Sequence, residues 1–406
     1  MILGSRELIR DINSRLVLET ILKEGSISRA DISKKLGLTK ATISSIIQEL
    51  LNENLILETG SDDTKLGRKP ILITFNRHAG SAVSIDIGSA STSILMTDLG
   101  GEIKALRKIR TPKPHELINV LSGIISDMLT MYKNTPLNKL VGIAASIHGI
   151  TFNNNIIFTP YYNLSSCDIA GELSDIFCVP VHLENEANLS VISERAFISS
   201  EYSNIAAVSI HSGVGVGIIE GGRLCRGSKG FAGEFGHTVI DIDGRPCPCG
   251  NNGCLEQYLS ERALLSDFMK EYGNSAASEH SEDELCTGSD TSHDFTVFEN
   301  SLRLNAQAAL KTADNFVKYM AVCINNIMNT VNPEVIIINS SFTRAFPELT
   351  DRIAASLNSR FNTSVIVKPS ALGDRSALLG GICVCIADFL GLEDFNSGYI
   401  ISNFSI

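Results

Sequence analysis

The sequence predicts an α/β protein in two parts: a small winged helix-turn-helix head and a larger body of two similar α/β lobes facing a cleft. Three observations predict it. Before residue 78 a helical pattern, a Gly turn and a second helical pattern precede a strand–loop–strand segment. A strand–turn–strand pattern then occurs twice, over 82–103 and 207–225. Finally, three cysteines crowd into residues 247–254, within the second half of that body.

At 406 residues, with 44% hydrophobic and 19% charged side chains, the chain suits a globular protein of two or three domains. No apolar run reaches the roughly 18–20 residues of a membrane span, and the first residues, MILGSRELIRDINSR, lack a signal-peptide core. The expectation is a cytoplasmic protein with no membrane partner. Ten scattered cysteines in a reducing compartment argue for a metal cluster rather than a disulfide framework.

The net charge of −11 disfavours nucleic acid as a partner of the whole surface, but the charge is unevenly placed. Residues 1–80 carry 12 Lys and Arg against 10 Asp and Glu, a balance of +2, while the remainder carries 22 against 35, a balance of −13. Phosphate attraction acts within a Debye length of about 8–10 Å, so a mildly basic head on an acidic body is free to bind DNA locally.

In the head, Leu8, Ile12, Leu16 and Ile21 recur at helical spacing over 5–22. Gly25 and Ser26 break that helix. Ser28 with Asp31 three residues on opens a short helix, Gly37 turns the chain, and Thr39 caps a third helix. Its stripe of Ile43, Ile46, Ile47, Leu50 and Leu51 is expected to be buried. Thr39, Lys40, Thr42, Ser44, Ser45 and Gln48 are left for a major groove, as in a helix-turn-helix. The following hairpin reads as a wing with Lys65, Arg68 and Lys69 at its tip. Together these nine residues are the expected DNA contacts.

In the body, the small-residue turns at 86–90 and 212–217 would let backbone amides approach an anion. Residues 274–294 are polar and acidic and read as an exposed insertion. Cys247, Cys249 and Cys254 follow a C-x-C-x4-C spacing with Gly250 and Gly253 between them, and His237 completes a Cys3His set. Thiolates with one imidazole favour zinc in a closed, structural site. Glu234 and Glu256 flank the ligands without being needed by the metal, and are suited to accept hydrogen bonds from sugar hydroxyls.

The chain resembles the ROK family of repressors, open reading frames and kinases over essentially its whole length. The resemblance rests on GEFGH at 233–237 and CPCGNNGCLE at 247–256, with DIG at 86–88, ENEAN at 184–188, NPEVIII at 332–338 and GDRSALLGG at 373–381. The head, with SRADISKKLGLTKATIS and GRKP, looks most like the xylose-repressor branch. It implies an actin-like, ribonuclease-H-like two-lobe sugar-kinase fold: a head over 1–78, lobe 1 over 79–190 completed by 374–406, and lobe 2 over 191–373. It also implies a sugar in the cleft, contacted by Asn185, Glu186, Glu234, His237 and Glu256, and a homodimer or homotetramer. His237 would serve both sets, one ring nitrogen on zinc and the other on a hydroxyl.

The kinases of the family carry an Asp as base where this chain has Glu186, a displacement of about 1 Å that can cost about 100-fold in rate. Three further departures lie on the nucleotide side: Ser89-Ala90, His211-Ser212 and Asn339-Ser340 replace the kinases' Gly-rich turns. The expectation is therefore no catalytic residue, and a repressor that binds operator DNA and a small sugar such as xylose or glucose. The alternatives are an active sugar kinase with a regulatory head, and a constitutive DNA-binding scaffold with a dead sugar site.

Overall fold

The computed structural model describes residues 6–61, 71–276, 291–360 and 365–392. The head comprises α1 (Arg6–Glu24), β1 (Ile27–Ser28), α2 (Arg29–Leu36), α3 (Lys40–Asn52), β2 (Ile56–Ser61) and β3 (Ile71–Phe75), with its strands in the order β1-β3-β2. Local chemistry sets these boundaries. Ser28 Oγ accepts the Asp31 amide, Gly37 ends α2 in the left-handed region at φ +65°, and Thr39 Oγ1 accepts the Thr42 amide. Ile43, Ile46, Ile47 and Leu50 are buried as expected, and Leu51 is half-buried.

Helix α1 departs from the sequence reading. Leu8, Ile12 and Leu16 are 50%, 46% and 39% exposed; of the four expected positions Ile21 alone is buried, together with Val17, Leu18 and Leu22. Only the second half of α1 lies over the head's core, so the apolar spacing of the first half has no face to meet there. The wing tip with Lys65, Arg68 and Lys69 lies outside the described residues.

The body begins with β4 (Ser81–Ile87), β5 (Ser91–Asp98) and β6 (Ile103–Arg110), then α4 (Leu117–Thr130), β7 (Leu140–Ile147), the hairpin β8 (Ile150–Phe152) and β9 (Asn155–Phe158), and α5 (Ile169–Phe177). It continues through β10 (Val181–Asn185), α6 (Glu186–Phe197), β11 (Ile205–Ile210), β12 (Val214–Glu220), β13 (Arg223–Leu224) and α7 (Glu256–Leu259). The remainder is α8 (Glu261–Ala276), α9 (Thr291–Arg303), α10 (Gln307–Thr330), β14 (Val335–Asn339), α11 (Ser341–Ala345), α12 (Glu348–Ala355), β15 (Ile366–Pro369) and α13 (Ser376–Leu390).

The duplicated pattern becomes two sheets of one topology. In the order β6-β5-β4-β7-β10 the first two pairings are antiparallel and the next two parallel, and β13-β12-β11-β14-β15 repeats this. On one face of the first sheet, Leu117, Leu121 and Ile125 of α4 pack over Ile85 and Ile143. The second sheet is covered by a buried aromatic group in which Phe342 lies 4.7 Å from Phe298 and 4.9 Å from Phe316, ring centre to ring centre. The acidic stretch 274–294 is helical at both described ends, and Asp294 is buried, so the insertion is shorter than its composition implies.

Helices α6 and α13 carry the chain between the sheets and pack against each other. A Cβ on Gly380 would stand 2.0 Å from the Leu189 carbonyl oxygen, so only glycine permits this approach. Helix α13 also lies on β4 and β7, burying Leu378, Leu379 and Ile382 against Ala82 and Ala144. That core continues without a break into the head through Leu99, Val141 and Leu390. Head and body thus share one packed core.

Candidate functional site

The ends of β7, β10 and β11 converge on a cleft between the two sheets, where a cavity of about 80 Å³ is lined by Asn185, Glu186, Glu234, His237 and Glu256. All five expected sugar contacts are brought together here. His148, Phe158, Tyr161, Ser209 and the turn 211–215 complete the wall.

Behind this wall His237, Cys247, Cys249 and Cys254 offer four donor atoms within 4.8 Å of one another. Cys249 Sγ lies 3.6 Å from Cys254 Sγ, and Cys247 Sγ lies 3.5 Å from His237 Nδ1. A tetrahedron with metal–sulfur bonds of about 2.3 Å has edges of about 3.8 Å, so the spacing fits a four-coordinate ion and is too long for a disulfide. Gly253 makes the knot possible. It sits at φ +70°, and a Cβ would stand 1.5 Å from the Asp241 carbonyl oxygen. With Nδ1 toward the thiols, His237 turns Nε2 into the cavity, 3.8 Å from Glu234 Oε2.

The carboxylates differ in their commitments. Burial raises the Glu234 pKa, the His237 charge opposes this, and Glu256 adds to the rise. Glu256 is buried at the start of α7, with Oε2 accepting the Val214 amide at 3.2 Å and Oε1 accepting the Tyr161 hydroxyl at 2.7 Å. Asn185 uses its side-chain oxygen to cap α6 through the Ala187 and Asn188 amides, and donates to the Gly149 carbonyl at 2.7 Å. Glu186 is buried, and its Oε1 accepts from Ser190 Oγ at 2.8 Å and Ser209 Oγ at 2.7 Å.

On the far side of Glu186 the chain fills its own turns. Asp86 accepts from Ser146 Oγ at 2.7 Å and from His148 Nε2 at 2.9 Å. Burial works against the charge on His148, but the Asp86 charge and hydrogen bond, aided by Glu186, carry its pKa to about 9. It is an imidazolium at neutral pH. Asp86 correspondingly falls below its ordinary range: burial opposes its charge, but the His148 charge and the hydrogen bonds of His148 and Ser146 together outweigh it. The His211 ring packs edge-on at 6.2 Å from His148. Glu261 accepts the Ser341 amide at the start of α11, and Asn339 is held by the Gly373 carbonyl and Arg344.

On the head, Thr39, Lys40, Ser44, Ser45 and Gln48 are exposed on α3, and Thr42 is half-buried with its hydroxyl 2.9 Å from that of Thr39. Ser45 bonds to Glu49 and Gln48 to Asn52, all along the helix's outer face.

Sequence reasoning missed His148, Tyr161 and Arg262. Their only signal is an ionisable or phenolic group shortly after a strand, for His148 and Tyr161, or in the first turn of a helix, for Arg262, which is too common to single out.

The ROK family profile matches residues 82–387. The chain belongs to the ROK family. A winged helix-turn-helix DNA-binding profile matches residues 10–56, within the head of this ROK protein. The xylose repressor of Bacillus spizizenii is 33% identical over 400 residues, covering 97% of this chain and 99% of that protein. Among solved structures, a ROK family transcriptional regulator homologous to Escherichia coli MLC shares the fold, with a TM-score of 0.76 at 24% identity over 97% of this chain and 99% of that one. A Streptomyces griseus ROK glucokinase, in complex with glucose and AMPPNP, covers 75% of this chain and 99% of its own, with a TM-score of 0.63 at 22% identity.

Proposed function

We propose that this ROK protein is a sugar-responsive transcriptional repressor whose body senses a sugar and does not phosphorylate it. One observation carries the reading. The five expected sugar contacts are gathered on one cavity, while on the transfer side the chain's own hydrogen bonds fall on Glu186 Oε1, from Ser190 and Ser209, and on Asp86 Oδ1, from Ser146 and His148. A general base must be free to reach the proton it takes. Relatives named xylose repressors at 30–33% identity point to D-xylose as the effector.

His237, Cys247, Cys249 and Cys254 would hold a zinc ion, which supplies rigidity to the loop and no open coordination position. Through His237 the knot fixes which ring nitrogen faces the sugar. Residues 1–78 act as the DNA-binding domain, with Lys65, Arg68 and Lys69 joining the α3 contacts. Lobe 1 comprises 79–190 with the C-terminal helix, and lobe 2 comprises 191–373. No helix among the described residues is long and apolar enough to cross a membrane, and we place the protein in the cytoplasm.

As a homodimer, or a homotetramer built from it, the protein presents two copies of α3 about 34 Å apart on a palindromic operator. Sugar binding shifts the angle between the lobes and releases DNA, with coupling of about 1–3 kcal/mol. A gel shift on a palindromic operator with and without D-xylose, run beside a coupled ADP-release assay, tests the reading. Operator binding relieved by the sugar and no ADP release is the expected pair. Sustained turnover, or operator binding indifferent to every sugar, overturns it.

A further inference from the structure

Tyr161 lies on the segment between β9 and α5, in the first lobe, yet its hydroxyl is held entirely by the second. It donates to Glu256 Oε1 at 2.7 Å. From α8, Arg262 Nη2 donates to the Tyr161 hydroxyl oxygen at 3.3 Å, and the guanidinium stands 5.3 Å from the ring centre. Since Glu256 Oε2 accepts the Val214 amide, both oxygens of this sugar-side carboxylate are engaged. Burial and the Glu256 charge raise the phenol to about 12, so it stays a donor at any physiological pH.

Resting on the sugar-site reading above, we propose that Tyr161 is a built-in stand-in for a sugar hydroxyl. Its phenol holds the Glu256 acceptor that the ligand needs, and the sugar displaces it. A phenol and a sugar hydroxyl are both neutral O–H donors that reach a carboxylate at about 2.7 Å, so they compete for one position. The exchange has a mechanical consequence. The Tyr161 bond spans the cleft, whereas a sugar hydroxyl on Glu256 leaves the 158–162 segment released from the second lobe. Occupancy is thereby converted into freedom of one lobe against the other, which a single-lobe contact could not achieve. Phe158 and Pro160 line the same cavity from this segment, so its departure also opens the wall. Tyr161 is thus a positioning residue of the switch, and its ligand class is a neutral polyol with a donor for Glu256.

The test is calorimetric titration of the full chain with D-xylose, for wild type, Tyr161→Phe and Glu256→Gln. Removing a competing donor to a charged acceptor should tighten binding about tenfold in Tyr161→Phe, while Glu256→Gln weakens it. A merely structural tyrosine would give a loss, never a gain. Saturating wild type with D-xylose should also produce a tyrosine ultraviolet difference spectrum that Tyr161→Phe lacks. Unchanged or weaker binding by Tyr161→Phe, with binding still weakened by Glu256→Gln, overturns the proposal and leaves the sugar site standing. If wild type binds neither D-xylose, D-glucose nor N-acetylglucosamine, the site reading fails and the proposal falls with it. Should Tyr161→Phe not fold, presence or absence of the wild-type difference spectrum decides.

Discussion

Glu194 offers a prediction whose size follows from its surroundings. It lies on α6, where the chain passes from the first sheet to the second, and is 1% exposed. Oε1 accepts from Ser370 Oγ on the return crossing, while Oε2 has no hydrogen-bond partner. Burial, only partly offset by the hydrogen bonds of Ser370 and Leu372, raises its pKa from 4.5 to about 7. The sign follows from linkage. An acid whose folded pKa is raised costs nothing below its unfolded value, costs more as pH rises toward 7, and costs a constant amount above it. The ceiling of that cost is about 3.4 kcal/mol, from about 1.36 kcal/mol per pKa unit. Glu194→Gln removes the buried charge and keeps the acceptor for Ser370, but places an amide where Oε2 stands. An unpaired buried donor costs about 1–3 kcal/mol, so the expected net gain at pH 8 is about 1–2 kcal/mol. For a lobe of this size that is a rise of about 3–6 °C in Tm, read by thermal denaturation. At pH 4.5 the gain should vanish. An equal shift at both pH values, or a lower Tm at pH 8, would refute the argument that an ionised carboxylate is buried at the crossing.

Three further outcomes follow. Cys249→Ser, at the exposed cysteine of the knot, should abolish stoichiometric zinc by elemental analysis and weaken D-xylose binding at least tenfold, while operator affinity changes by less than about threefold. Lys40→Ala should weaken operator binding and lower the slope of log affinity against log salt by about 1 in a gel-shift series. His148, with its pKa raised from 6.5 to about 9, contributes stability that is fully present below about pH 6.5 and lost as pH rises through 9. His148→Gln should therefore cost about 1–2 kcal/mol at pH 7 in urea denaturation, and the cost should disappear by about pH 10.

The sequence by itself determined whatever depends on neighbours along the chain. Ser28, Gly37 and Thr39 set the boundaries of α2 and α3 because caps and left-handed turns are local events. The cysteine spacing with Gly250 and Gly253 specified the thiol cluster that could hold a metal, because eight residues suffice to bring three thiols together. The repeated strand–turn–strand segments carried the twofold topology, since each hairpin is stabilised by its own pairing. Only the tertiary structure decided which half of α1 is buried, because apolar spacing names a face but not what covers it. It also decided that Asp86 meets His148 across two strands, that Ser190 and Ser209 tie down Glu186, and that Tyr161 reaches Glu256 from the opposite lobe. These partners are separated by 62, 23 and 95 residues in the last-named bonds of Asp86, Glu186 and Glu256. Contacts so distant are set by how the sheets are placed by α6 and α13, and no period or motif in the chain records that placement.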